Sequence, residues 1–117
     1  MADPQAVREG VWLLLSELWL DTQLDAPAHA RIAAGLRESG LSVDALQRIF
    51  LYEVAPLLWL NHWSVAGVWD AFDAQWLIAG CQRNRQRGAL HRLRCRLLRK
   101  PMTYACIDDW QAILRLL

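Results

Sequence analysis

The sequence predicts an all-α fold: one domain over residues 1–117, arranged as an irregular bundle of about five or six helices. Three observations carry this expectation. Apolar residues recur at helical spacing in several separate segments. Helix start and stop signals fall between those segments. No run alternates apolar with polar residues well enough to suggest a sheet, and the stretch most open to extended backbone is 102–107.

The first helix should begin at Asp3-Pro4, because Asp accepts bonds from free amides and Pro fits the first helical position. Val7, Val11, Trp12, Leu14, Leu15, Leu18 and Trp19 then form its stripe. Leu13 and Leu20 widen it beyond one face, so the helix is either central or carries a second contact surface. Residues 21–25 should end it. Asp25 or Ala26 caps the second helix with Pro27 just inside, and Gly40 suits its left-handed end. Ser42 caps a third helix with Leu46, Ile49, Phe50, Val54, Leu57 and Leu58 on one face. Pro56 lies inside that pattern and must kink or divide it.

No period fits residues 59–73, which read as a connection pinned to the body by aromatic rings. Asp73 is the expected cap of the next helix. A break is expected near Gly88, and Leu90, Leu93 and Leu97 form the following apolar stripe. Lys100-Pro101 should end that stretch, and Asp108 or Asp109 should begin a last short helix.

The chain holds seven tryptophans among 117 residues. They are spread from Trp12 to Trp110, so most must build a core and not one recognition loop. Trp59, Trp63, Trp69 and Trp76 can also serve as an interface hot spot. A chain of this length buries roughly two-thirds of its unfolded surface, enough for one core without disulfides or metal. The cysteines, Cys81, Cys95 and Cys106, are odd in number and unpatterned, which suits reduced thiols. The N-terminus lacks the basic start of a secretory peptide, and the apolar run 11–20 is too short to cross a bilayer. A cytoplasmic protein without a membrane partner is therefore expected.

Net charge is +1, but it is segregated. Residues 1–75 carry ten acids against four arginines, a net of −6, while residues 76–117 carry nine bases against two acids, a net of +7. Such asymmetry points to a charged partner, or to two halves that neutralise each other. At about 100° per residue, Arg85, Arg92, Arg96 and Arg99 share one side of the basic segment and Leu90, Leu93 and Leu97 the other. The expected result is a guanidinium ridge on the solvent side of a helix packed through its leucines. Arg83, Arg87 and Arg94 lie nearer the leucine side, with stems over the core edge. Guanidinium forks suit phosphates and carboxylates alike, so nucleic acid and an acidic protein are both admissible ligands.

A catalytic or metal-binding set is hard to assemble. His91 and Cys95 share a helix face, but no Cys-x-x-Cys pair exists and four zinc ligands do not gather. Cys95 with His91, or Cys106 with His62, are the pairs that would suit a thiol nucleophile with its base. Asp108 and Asp109 can hold a cation, but they suit a helix start better. No cofactor is expected and an enzyme is the least favoured class.

Two segments, Val-Arg-Glu-Gly-Val-Trp-Leu-Leu-Leu-Ser-Glu-Leu-Trp-Leu-Asp-Thr (7–22) and Leu-Gln-Arg-Ile-Phe-Leu-Tyr-Glu-Val-Ala-Pro-Leu-Leu (46–58), carry a resemblance. Together with Val-Ala-Gly-Val-Trp-Asp-Ala-Phe (65–72), they resemble a family of small uncharacterised all-helical bacterial proteins, and the likeness covers most of the chain. The resemblance carries no catalytic residues. Proteins of this kind often look like immunity proteins encoded beside a secreted toxin. The function expected is thus a binding protein that masks a partner, such as a nuclease toxin, with Glu17, Asp21, Asp25 and Asp44 covering a basic groove. The alternative is a nucleic-acid accessory protein using Arg85, Arg92, Arg96 and Arg99. Self-association through the first helix is a third expectation.

Overall fold

Helices account for most of the chain, and among the described residues there is no strand. The computed structural model describes residues 3–20, 24–59 and 74–117. Helix α1 spans Pro4–Leu20, α2 Ala26–Glu38 and α3 Val43–Ile49. A π-turn, Phe50–Val54, follows α3 directly, and helical backbone continues over 55–59. Then come α4 (Ala74–Arg85), α5 (Ala89–Leu97), α6 (Arg99–Thr103) and α7 (Ile107–Leu116).

The local signals set most boundaries. Asp3 accepts from the Gln5 amide at 3.1 Å. Of the two candidates, Asp25 is the cap of α2 and accepts from the Ala28 amide at 2.9 Å. Ser42 does the same for Ala45 at 3.1 Å. Gly40 has φ of 75°, the left-handed conformation that closes α2 without a Cβ clash. Gly88 separates α4 from α5 as its spacing suggests. Helix α1 stops at Leu20, ahead of the expected end at 21–25, of which 21–23 lie outside the described residues; of the expected connection 59–73, Trp59 is still helical and 60–73, with the cap at Asp73, lie outside them.

Pro56 acts one turn earlier than its own position. It has no N–H for the carbonyl four residues back, and its ring crowds that carbonyl, which belongs to Tyr52. The backbone answers by widening to the π-turn, where the Ala55 amide reaches the Phe50 carbonyl. The Tyr52 carbonyl is taken by the His91 ring at 2.9 Å, and the Glu53 carbonyl accepts from the Asn84 side chain at 2.9 Å. The proline thus frees the Tyr52 carbonyl that α5 satisfies.

Around this turn lies one core. Helix α1 is central: it packs on α2, the π-turn and α4, and it buries Val11, Trp12, Leu15, Leu18 and Trp19. Helix α7 lies on α2 and is tied to it by His29–Asp109 (2.8 Å) and by Arg37, which donates to the Leu116 carbonyl (2.6 Å). Gly80 lets α4 approach the Leu57 side chain more closely than any Cβ would allow. Trp12, Trp19 and Trp110 are core residues, Trp59 is half-buried and Trp76 is 38% exposed. Trp63 and Trp69 lie outside the described residues.

Three sequence expectations are corrected. The 102–107 stretch is not extended; it is the end of α6 and a turn into α7. Pro101 does not end a helix but sits in the first turn of α6, where a missing N–H leaves no intrahelical bond unmade. The third concerns α5. Its leucines do not face the core: Leu90 is 81% exposed, Leu93 51% and Leu97 75%. The helix packs instead through His91, Cys95 and Leu98. The His91 ring can lie inward because the Tyr52 carbonyl satisfies it.

Candidate anion-binding cleft

Where α1, α3, the π-turn, α4 and α5 meet, a cleft of about 630 Å³ opens. Its rim carries six arginines: Arg8 from α1, Arg48 from α3, Arg85 from α4, Arg87 from the following turn, and Arg92 and Arg96 from α5. The floor is Tyr52, Glu53, Asn84 and His91. Glu53 is the sole carboxylate among these lining residues.

That carboxylate is already satisfied. Glu53 is 6% exposed and accepts from Arg8 through Nε at 3.0 Å and Nη2 at 2.5 Å. The Trp12 indole N–H also donates to it, at 2.9 Å. The pair is bidentate and buried, so it holds α1 on the π-turn and cancels the charge of Arg8 alone. Tyr52 orients a second arginine: Arg96 Nε donates to its hydroxyl at 3.0 Å. Arg85 donates to Gln5 at 3.1 Å, a neutral partner that leaves its charge uncompensated. Arg48, Arg87 and Arg92 have no ion pair or side-chain hydrogen bond among the described residues. Five positive charges therefore converge on one concavity with no carboxylate paired to them among the described residues. Guanidinium groups so placed recognise carboxylate or phosphate oxygens by paired N–H donors.

Of the arginines singled out from the sequence, Arg85, Arg92 and Arg96 come together here. Arg99 does not; it lines a separate hollow with Gln47, Thr103 and Trp110. The reason is the break at Leu98, where the backbone leaves helical values and restarts as α6, so one helical wheel cannot be carried across it. Arg8, Arg48 and Arg87 were not singled out for the cleft. Arg83, Arg87 and Arg94 border a smaller hollow floored by Pro56, Leu57, Cys95 and Leu98, so they do overlie the core edge.

The acids expected to meet a partner are placed differently. Glu17 closes on Arg31 at 2.6 and 3.1 Å, which holds the Arg31 guanidinium above its ordinary pKa through that hydrogen bond and charge. Asp25 is occupied as the cap of α2. Asp44 is exposed in the first turn of α3. Asp21 lies outside the described residues.

The Cys95–His91 pair is not disposed for nucleophilic chemistry. Cys95 Sγ is 3.5 Å from His91 Nε2, but that nitrogen must carry its proton to donate to the Tyr52 carbonyl, so it cannot take one from the thiol. Burial also pushes the Cys95 thiol up. His62, the partner considered for Cys106, lies outside the described residues. Among the described residues no three His, Cys, Asp or Glu side chains converge as a metal site would need. Asp109 is engaged with His29, and both Asp108 and Asp109 stand in the first turn of α7.

Two deeply buried thiols give a pH signature. Burial, reinforced by Glu53, pushes Cys81 from 9.0 up to about 12; burial, reinforced by Asp109, does the same for Cys106. Above pH 9 the unfolded chain loses these protons while the folded chain keeps them, so stability falls as pH rises toward 12. The expected slope is about 1.4 kcal/mol per pH unit for each thiol. Denaturant titrations at stepped alkaline pH check this, and Cys81→Ala with Cys106→Ala should flatten the slope. An unchanged slope in that double variant would exclude the thiols as its source.

The architecture and the cleft define a class: an all-helical protein with a preformed basic concavity. Residues 6–116 match a family described as a domain of unknown function, DUF7079, and the chain belongs to that family. No curated protein and no solved structure matches it. No helix among the described residues is long and apolar enough to cross a membrane.

Proposed function

We propose that this chain is a non-catalytic binding protein that neutralises a partner by covering its surface, with the arginine cleft as the principal contact. One observation carries the reading: six arginines share a concavity whose single carboxylate among the described residues is already paired with Arg8. The resemblance to small bacterial proteins suggests the form it takes, an immunity protein acting in the cytoplasm on a secreted toxin. The contact surface differs from the one read in the sequence. Glu17 and Asp25 are engaged within the fold, so the partner surface that fits best is acidic and not a basic nuclease groove.

The test is complex formation with the product of the adjacent gene, measured by calorimetry. Arg48→Glu, Arg85→Glu and Arg92→Glu together should weaken the complex by about a hundredfold or more, since each reversal opposes the partner's charge. Glu17→Gln with Asp44→Asn should leave it unaltered. The opposite pattern, or no complex at micromolar concentration, removes the reading.

The same cleft supports nucleic-acid binding as the second reading, because phosphates need little beyond convergent cations. Labelled single- and double-stranded oligonucleotides should then bind with steep salt dependence. Affinity that survives replacement of Arg85, Arg92 and Arg96 by glutamine would remove it.

A further inference from the structure

Helix α5 leaves three leucines in solvent at i, i+3 and i+7. Leu90, Leu93 and Leu97 are 81%, 51% and 75% exposed, while His91 and Cys95 on the same helix face the body. This spacing is that of a coiled-coil seam, and it is narrower than the apolar stripe by which a globular helix packs. With Leu90 at position a and Leu93 at d, Leu97 takes the next a. Arg94 then occupies e and Arg96 occupies g, the flanking positions that set partner choice in paired helices. His91 and Cys95 fall at b and f, away from the seam, in agreement with the packing seen. Residues 74–107 contain no Asp or Glu, so the seam has no acid beside it in sequence.

We propose that this face docks a helix from a partner protein, one that presents leucine-like residues at its own a and d positions and carboxylates at e and g. The charges decide between occupants. A second copy of this chain would set Arg94 and Arg96 against the same residues, and like charges across such a seam repel. A lipid surface would call for a broad apolar face. This one is a single file of leucines, with Arg94 on one side and Arg92 and Arg96 on the other. The seam runs over about two turns, or about 10 Å. The leucines lie outside the cleft, but Arg92 and Arg96 border both, so the two surfaces are told apart by changes confined to one of them.

The probe is a synthetic peptide of about three heptads with leucine at a and d and glutamate at e and g. Labelled for fluorescence anisotropy, it should bind the full chain saturably, and a matching peptide with lysine at e and g should not. Leu90→Gln with Leu93→Gln and Leu97→Gln should weaken binding by about tenfold or more. These side chains are exposed, so the variant should keep its thermal unfolding midpoint. Arg94→Glu with Arg96→Glu should lose the glutamate peptide and gain the lysine one. Arg48→Glu with Arg85→Glu, which alters only the cleft, should leave peptide binding in place, so failure of the cleft and failure of the seam are told apart. No binding, or binding indifferent to the leucine changes, overturns the proposal. So does self-association of the chain that the leucine changes abolish, or co-sedimentation with phosphatidylglycerol vesicles that they abolish.

Discussion

Phe50→Ala should lower the free energy of unfolding by about 4 kcal/mol, among the largest losses that a single core truncation produces. The ring is 4% exposed and stands between two others. Its centroid is 5.2 Å from that of Trp19, tilted by 31°, and 4.5 Å from that of Trp110, nearly parallel at 16°. Trp19 belongs to α1 and Trp110 to α7, so this one ring joins the first helix to the last across the π-turn. Truncation removes the buried surface of the phenyl group, leaves a void between two indoles, and loses two ring contacts worth about 0.5–1.5 kcal/mol each. Phe50→Leu keeps much of the volume and should cost about 1.5 kcal/mol. Urea unfolding followed by tryptophan fluorescence measures both. A loss below about 2 kcal/mol for the alanine variant would show that the surrounding rings close over the space.

Glu53→Ala should cost about 3–4 kcal/mol, for a different reason. The substitution strands two donors: the Arg8 guanidinium and the Trp12 indole N–H, both of which aim at the missing carboxylate. Arg8 then faces five other arginines with no other carboxylate lining the cleft among the described residues. A buried pair broken on one side leaves an uncompensated charge, which is more costly than removing both partners. The double variant Arg8→Met with Glu53→Met should therefore recover stability relative to Glu53→Ala. If the double variant is as unstable as the single, the loss lies in packing and not in the stranded charge. The same measurement at raised salt separates out the arginine repulsion, which added ions screen.

What could be read from the chain was mostly local chemistry. Asp3, Asp25, Ser42, Gly40 and Gly88 mark boundaries because a cap or a left-handed turn depends on a few neighbouring residues. The apolar faces of α1 and α3 were legible for the same reason. The orientation of α5 was not, because leucine is assigned inward by habit of composition. The inward side belongs to a histidine and a cysteine, and what makes them acceptable there is a carbonyl 39 residues earlier, freed by Pro56. The cleft was half legible. Arg92 and Arg96 share one face of α5, but Arg85, Arg8 and Arg48 reach the site only through the packing of α4, α1 and α3 on the π-turn. One clue was present: Glu53 lies in register with Leu46, Ile49, Phe50 and Val54 on an otherwise apolar face. A carboxylate in that register must find a cation, and Arg8 is the one it finds.

The widened turn at Phe50–Val54 also has a consequence for how the chain tolerates change in length. A π-turn accommodates one surplus residue within a helix. Deleting a residue there would let ordinary winding resume with 55 onward near its present orientation, whereas a deletion within α3 that left the bulge in place would swing everything from 55 onward round by about 100°. In that second case Leu58 would leave the interior, and Asn84 and His91 would meet the wrong carbonyls. The bulge is thus a phase-setter: it times the second half of the helix to the first, and with it the walls that α4 and α5 raise around the arginines.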